Sequence, residues 1–143
     1  MSGWLYLNTD ASRPSPGDPS GRAAIGAVLR QHVRGSLVVV DYISKTIRSD
    51  DIHEAEYRAL IEGLKLARSY DPTELHVYSD RSTLVNEVKK GKPTRKKYER
   101  LFSEARGLMD GFERIEISYV PREMNMEADQ RSADALLLRQ KRR

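Results

Sequence analysis

The chain has 143 residues, with 25 Lys and Arg against 21 Asp and Glu, a formal net charge of +4, and 38% hydrophobic residues. That length suits a single domain with its own core, here residues 1–143 with a basic tail at 139–143, and the positive balance favours a polyanionic partner. The absence of cysteine excludes disulfides, thiolate zinc sites and cysteine nucleophiles. No apolar run reaches the roughly 18 residues of a membrane span, and the expected setting is the cytoplasm, without membrane attachment.

Taken in chain order, Trp4 to Thr9 reads as a strand that is apolar on both faces and closes on Asp10. A central position in a sheet would explain that pattern. Residues 11–21 hold three Pro, two Gly and three Ser, the composition of a loop. Ala23 to Leu29 is the second strand, His32 to Gly35 a hairpin turn, and Leu37 to Ile43 the third strand. A polar break at Ser44 to Asp51 leads into a helix from about His53 to Arg68. Its stripe of Ala59, Leu60, Gly63, Leu64 and Ala67 has helical spacing.

Asp71-Pro72-Thr73 is a turn. The next strand, Leu75 to Tyr78, ends on Asp80 as the first ended on Asp10. A helix from Arg81 to Val88 follows, then a basic linker, Lys89 to Lys97. Another helix spans about Lys96 to Asp110, stopped by Gly111. Ile115 to Val120 is the fifth strand, and a last helix runs from about Met126 to Arg139. On it Asp129 shares a face with Ala133, Leu136 and Leu137.

Four carboxylates therefore fall where burial should discourage them. Asp10 and Asp80 close two strands of matching pattern, and adjacent strands would present them side by side at the end where open α/β sheets bind ligands. Glu56 lies on the core-facing stripe of its helix when that stripe is extended back one turn, and Asp129 does the same on the last helix. A buried carboxylate is costly unless something positive pairs with it. A helix dipole could favour Glu56 or Asp129 taken singly; it does not account for all four. An oxygen-only ligand set suits Mg²⁺, with Mn²⁺ as an alternative, rather than zinc. Two such ions about 4 Å apart form the clamp used in phosphoryl displacement.

The order of strand-Asp, hairpin, helix-Glu, strand-Asp and helix-Asp resembles the type I ribonuclease H family in a short-loop form without the basic protrusion. The strings that carry the likeness are Asn8-Thr9-Asp10-Ala11-Ser12, His53-Glu54-Ala55-Glu56-Tyr57-Arg58-Ala59-Leu60, Tyr78-Ser79-Asp80 and the run from Val120 to Asp129. The resemblance extends from about Trp4 to Leu138. It implies an α/β ribonuclease H-like fold, a five-stranded mixed sheet flanked by helices. It also implies an endoribonuclease that uses two Mg²⁺ ions to cut the RNA strand of an RNA/DNA hybrid, leaving 5′-phosphate and 3′-hydroxyl ends. The family's helical ligand corresponds to Glu56, the residue that the helical stripe selects independently. Asp10, Glu56, Asp80 and Asp129 are thus the expected catalytic and metal-binding residues, in a protein expected to act as a monomer.

Three departures from the family pattern stand out. The loop at Pro121 to Met124 lacks the His that many members carry, with Arg122 and Glu123 the nearest polar residues. Ile52 and His53 replace the Asn pair that often precedes the helical Glu. Arg13 to Gly21 is Pro-rich and lacks the usual Gly-Asn-Pro-Gly-like run. Expected substrate contacts are Ser12, His53, Ser82, Lys89, Lys90 and Lys92, while Trp4 and Tyr57 read as core. The alternatives are a nucleic-acid-binding module of this fold with little or no catalysis, and a nuclease of the same fold acting on another nucleic-acid structure.

Overall fold

The computed structural model describes residues 3–13 and 21–125. Five strands form one mixed sheet: β1 Trp4–Ser12, β2 Arg22–Val33, β3 Ser36–Arg48, β4 Glu74–Ser79 and β5 Ile115–Tyr119, in the spatial order β3-β2-β1-β4-β5. The first three form an antiparallel meander, and β4 and β5 add parallel to β1. Helices α1 (Ile52–Arg68), α2 (Ser82–Lys90) and α3 (Glu99–Met109) complete the fold, with short 3₁₀ turns at Lys96–Tyr98 and Arg122–Asn125. Among the described residues, no helix is long and apolar enough to cross a membrane. The five-stranded mixed α/β sheet expected from the sequence is present.

Three strands run further than their apolar stretches, β2 among them, continuing past Leu29 to Val33. β1 continues through Asp10 to Ser12, because β2 still pairs with it there, Asp10 opposite Gly26 and Ser12 opposite Ala24. The expected break after Ile43 is instead strand as far as Arg48, opposite Arg22. An edge strand needs only backbone partners on one side, so polar side chains at Ser44, Lys45 and Thr46 do not end it. The hairpin turn is confined to Arg34 and Gly35, both at positive φ (52° and 84°), as a two-residue turn matched to the strand twist requires.

The core lies between the sheet and α1. Leu5, Leu7, Leu75 and Val77 of the two central parallel strands meet Leu60 and Leu64 of α1, with Leu84, Val88 and Ala105 from the other helices. Gly63 lets α1 approach β1 closely. A Cβ there would lie 3.0 Å from Thr9 Cγ2 and 3.2 Å from both Leu7 methyls.

Trp4 corrects the sequence reading: it is 54% exposed. As the first residue of its strand it packs one side on His76, with ring centroids 5.4 Å apart, and leaves the other to solvent. Tyr57 is buried as expected.

Candidate active site

Register alone brings the first two acids together. Thr9 lies opposite Ser79 in the parallel β1–β4 pair, so the next residues, Asp10 and Asp80, emerge from neighbouring strands at the same end of the sheet. Asp10 is still held by β2, whereas Asp80 follows the last residue of β4 and leads into α2.

The third acid comes from above. Asp51 caps α1, its Oδ1 accepting from the backbone N–H groups of His53 (2.9 Å) and Glu54 (3.2 Å). This satisfies two of the otherwise unbonded donors of the first turn and sets where that turn stands over the sheet. Glu56 sits one turn further along, buried on the inner face. Asp10, Glu56 and Asp80 each offer a carboxylate oxygen within 4.8 Å of the others. Asp10 and Glu56 are only 3% and 4% exposed. Three carboxylates that close, two of them buried, repel one another unless a cation lies among them. The donor set is all oxygen, which fits a hard divalent cation such as Mg²⁺ and not a thiolate or imidazole metal.

The pocket they line has a volume of about 480 Å³ and also includes Ser12, Arg13, Arg81, Tyr119 and Arg122. The fourth expected acid, Asp129, and the helix predicted to carry it lie outside the described residues. Asn125 is 1% exposed; its Nδ2 donates to the Thr9 carbonyl at 2.9 Å, and its Oδ1 accepts from Asn8 Nδ2 at 2.8 Å. Thus the segment after β5 is tied to β1 one residue before Asp10.

The expected substrate contacts separate into three groups. Ser12 borders the acid pocket. Ser82, Lys90 and Lys92 line a second cavity of about 250 Å³ beside α2, together with Thr83, Asn86, Glu87, Pro93 and Thr94. Lys89 is exposed near the same end of that helix. His53 corrects its expectation: it is 5% exposed and turned into the protein, its Nε2 3.0 Å from Glu87 Oε1. A helix-start position alone gave no sign of this, because the partner lies 34 residues away.

Arg81 and Asn125 are the residues that sequence reasoning missed. Asn125 belongs to the run from Val120 to Asp129 that carries the family likeness, and its place four residues before the last acid was a usable signal. Arg81 carried no pattern of its own; its position next to Asp80 was the only hint.

The reverse transcriptase-like family matches residues 9–135. The chain belongs to this family. Among solved structures, RNase H1 from the halophilic archaeon Halobacterium salinarum is 28% identical, with a TM-score of 0.82 over 94% of this chain and 98% of that one. The N-terminal RNase H domain of a Mycobacterium tuberculosis protein, solved as a fusion with maltose-binding protein, is also 28% identical, with a TM-score of 0.81 over 93% of each chain. LC11-RNase H1, solved in complex with an RNA/DNA hybrid, is 23% identical, with a TM-score of 0.78 over 92% of this chain and 95% of that one. No curated protein matches. These likenesses place the type I ribonuclease H fold on the chain from near its start to near its end.

Proposed function

We propose that the protein is a divalent-metal-dependent endonuclease that hydrolyses the RNA strand of RNA/DNA hybrids, leaving 5′-phosphate and 3′-hydroxyl ends. The observation that carries this reading is the convergence of Asp10, Glu56 and Asp80 within 4.8 Å at the mouth of a ribonuclease H-like sheet. Asp129 is proposed as the fourth ligand, on the sequence pattern.

The three described carboxylates would hold Mg²⁺, with Mn²⁺ as a substitute. Bound there, such ions supply Lewis-acid stabilisation of charge on a phosphoryl group and a means of activating water. The chain's own contribution is placement. β1 and β4 fix two ligands by strand register, the Asp51 cap fixes the third, and the basic side chains of Arg13, Arg81 and Arg122 border the pocket where an anionic backbone would lie. A hybrid substrate is consistent with the net charge of +4, and LC11-RNase H1 was solved with such a hybrid.

The test is cleavage of end-labelled RNA/DNA hybrid with Mg²⁺ and with Mn²⁺, alongside duplex DNA, duplex RNA and single strands. Cutting of the hybrid's RNA strand alone, abolished by Asp80→Asn, is the expected result. Hybrid binding without cutting under either ion would overturn the proposal in favour of a binding module, and cutting of another nucleic acid would reassign the substrate.

A further inference from the structure

Among the described residues Glu87 is the most deeply buried carboxylate outside the acid pocket, only 1% exposed, and both its oxygens are in use. Oε1 accepts from Tyr57 Oη at 2.5 Å and lies 3.0 Å from His53 Nε2; Oε2 accepts from Thr94 Oγ1 at 2.7 Å. Burial pushes its carboxyl up, but the hydrogen bonds from Tyr57, Thr94 and His53 outweigh that and hold it below the usual carboxylate range. Joining two helices does not by itself call for a charge, since buried ion pairs can often be replaced by apolar residues of similar volume without loss of stability. What the carboxylate adds is direction.

That direction can be followed from bond to bond. Arg81 Nε donates to His53 Nδ1 at 2.9 Å. An arginine has only donors, so Nδ1 must accept, and the ring proton of the neutral imidazole must sit on Nε2, aimed at Glu87. The ring is wedged edge-on between Tyr57 and Tyr98, with centroid separations of 5.2 and 4.6 Å. Glu87 therefore sets the tautomer and orientation of His53, and His53 sets the pose of Arg81, which lines the pocket of Asp10, Glu56 and Asp80. With Nε committed to His53, the two terminal amino groups form the remaining fork, the geometry that matches a phosphate.

We infer that Arg81, held by the Glu87–His53 pair, is a phosphate-gripping residue at the edge of the acid pocket, and that His53 and Glu87 are positioning residues acting through it. This rests on the hydrolase proposal for its substrate and adds to it a specific contact. The second departure from the family pattern thereby acquires a role: His53 does not touch the substrate, but orients the side chain that does.

The experiment uses the full chain and a fluorescent RNA/DNA hybrid without divalent metal, so that binding is read apart from cutting. Arg81→Gln is expected to weaken binding about tenfold, the loss of one charge-assisted pair. It should also flatten the dependence of log affinity on log salt by about 0.7–0.9, one phosphate's worth. His53→Gln keeps a donor toward Glu87 but loses the acceptor for Arg81, and should reproduce both effects. His53→Asn, whose Oδ1 stands in for Nδ1 but which cannot reach Glu87, should recover part of the affinity and slope that His53→Gln loses.

Unchanged affinity and slope in Arg81→Gln would overturn the inference, as would equal behaviour of the two His53 variants. Should the His53 variants not fold, the wild type still decides their part: nitrogen NMR of His53 must show the proton on Nε2, and a proton on Nδ1 sinks the relay. The two proposals fail separately. Absence of cutting by a wild type that binds hybrid overturns hydrolysis, whereas wild-type binding by Arg81→Gln overturns the role of Arg81 in a protein that cuts.

Discussion

Thr9 and Ser79 face each other across the parallel β1–β4 pair, and this single register sets Asp10 beside Asp80. A one-residue slip would turn one acid to the opposite face of the sheet, so the site depends on the same alternation that buries Leu7 and Val77. Asp80→Asn keeps the shape and removes one charge. It should slow hybrid cleavage by about a thousandfold or more through loss of metal-assisted stabilisation. Without metal, the same variant should melt higher than wild type, because clustered like charges repel. Mg²⁺ should raise the wild-type melting temperature by mass action and the variant's much less. Equal Mg²⁺ responses in the two proteins would show that the cluster binds no ion.

Gly63 tests how closely α1 must approach the sheet. Replacing Gly by Ala inside a helix ordinarily stabilises by about 1 kcal/mol. Here the new methyl would lie 3.0 Å from Thr9 Cγ2 and 3.2 Å from Leu7, and overpacking of that kind typically costs about 1–3 kcal/mol. The net expectation is destabilisation by about 1 kcal/mol in urea unfolding. Because α1 carries Glu56 and β1 carries Asp10, cleavage should fall at temperatures where Gly63→Ala is still folded. A stabilised, fully active variant would mean that α1 and β1 have slack between them.

The clustering of Asp10, Glu56 and Asp80 was legible from sequence because each lies on a pattern of its own. Apolar runs closing at Asp10 and Asp80 announce strands that deliver a charge, and the α1 stripe passes through Glu56 at helical spacing. What was not legible is whatever depends on partners distant in sequence. Glu87 looks like an ordinary helix acid until Tyr57, His53 and Thr94 close around it. Nothing in the neighbourhood of His53 reveals that it faces inward. The strand limits at Ser12 and Arg48 escaped for a related reason: their pairing is backbone to backbone with β2, which polar side chains do not report. The Asp129 helix lies outside the described residues.

The lysines beside α2 bear on affinity rather than chemistry. Lys90 and Lys92 line a cavity with Ser82, and Gly91 between them, at φ 84°, ends the helix. Neutralising Lys89, Lys90 and Lys92 together should weaken hybrid binding and flatten its salt dependence by about 0.7–0.9 for each phosphate that these lysines neutralise in the wild type. At saturating hybrid the cleavage rate should stay near wild type, since these residues lie outside the acid pocket. Identical salt slopes would assign them to a solvated helix end.

Acid sensitivity should centre on Asp51, which joins α1 to the 3₁₀ turn at Lys96–Tyr98. One oxygen caps α1; the other accepts Tyr98 Oη at 2.6 Å and pairs with Lys97 Nζ at 2.9 Å. Burial pushes its carboxyl up, but the bonds from Tyr98, Lys97 and the Glu54 N–H prevail and hold it well below the ordinary 3.8. A carboxylate lowered on folding contributes stability that is complete above its unfolded value and fades as the pH drops beneath that value. Asp51→Asn keeps the cap, because Asn Oδ1 accepts as well as Asp, and loses only the acceptor for Tyr98 and the charge for Lys97. The variant should be less stable than wild type by about 1–2 kcal/mol at neutral pH. That gap should narrow steadily as the pH falls below about 4, because the unfolded wild-type chain takes up a proton there while the folded carboxylate, held lower, stays ionised. Urea unfolding of both proteins across that range is the measurement. A gap independent of pH would mean that the Asn amide disturbs packing and that the charge of Asp51 contributes nothing.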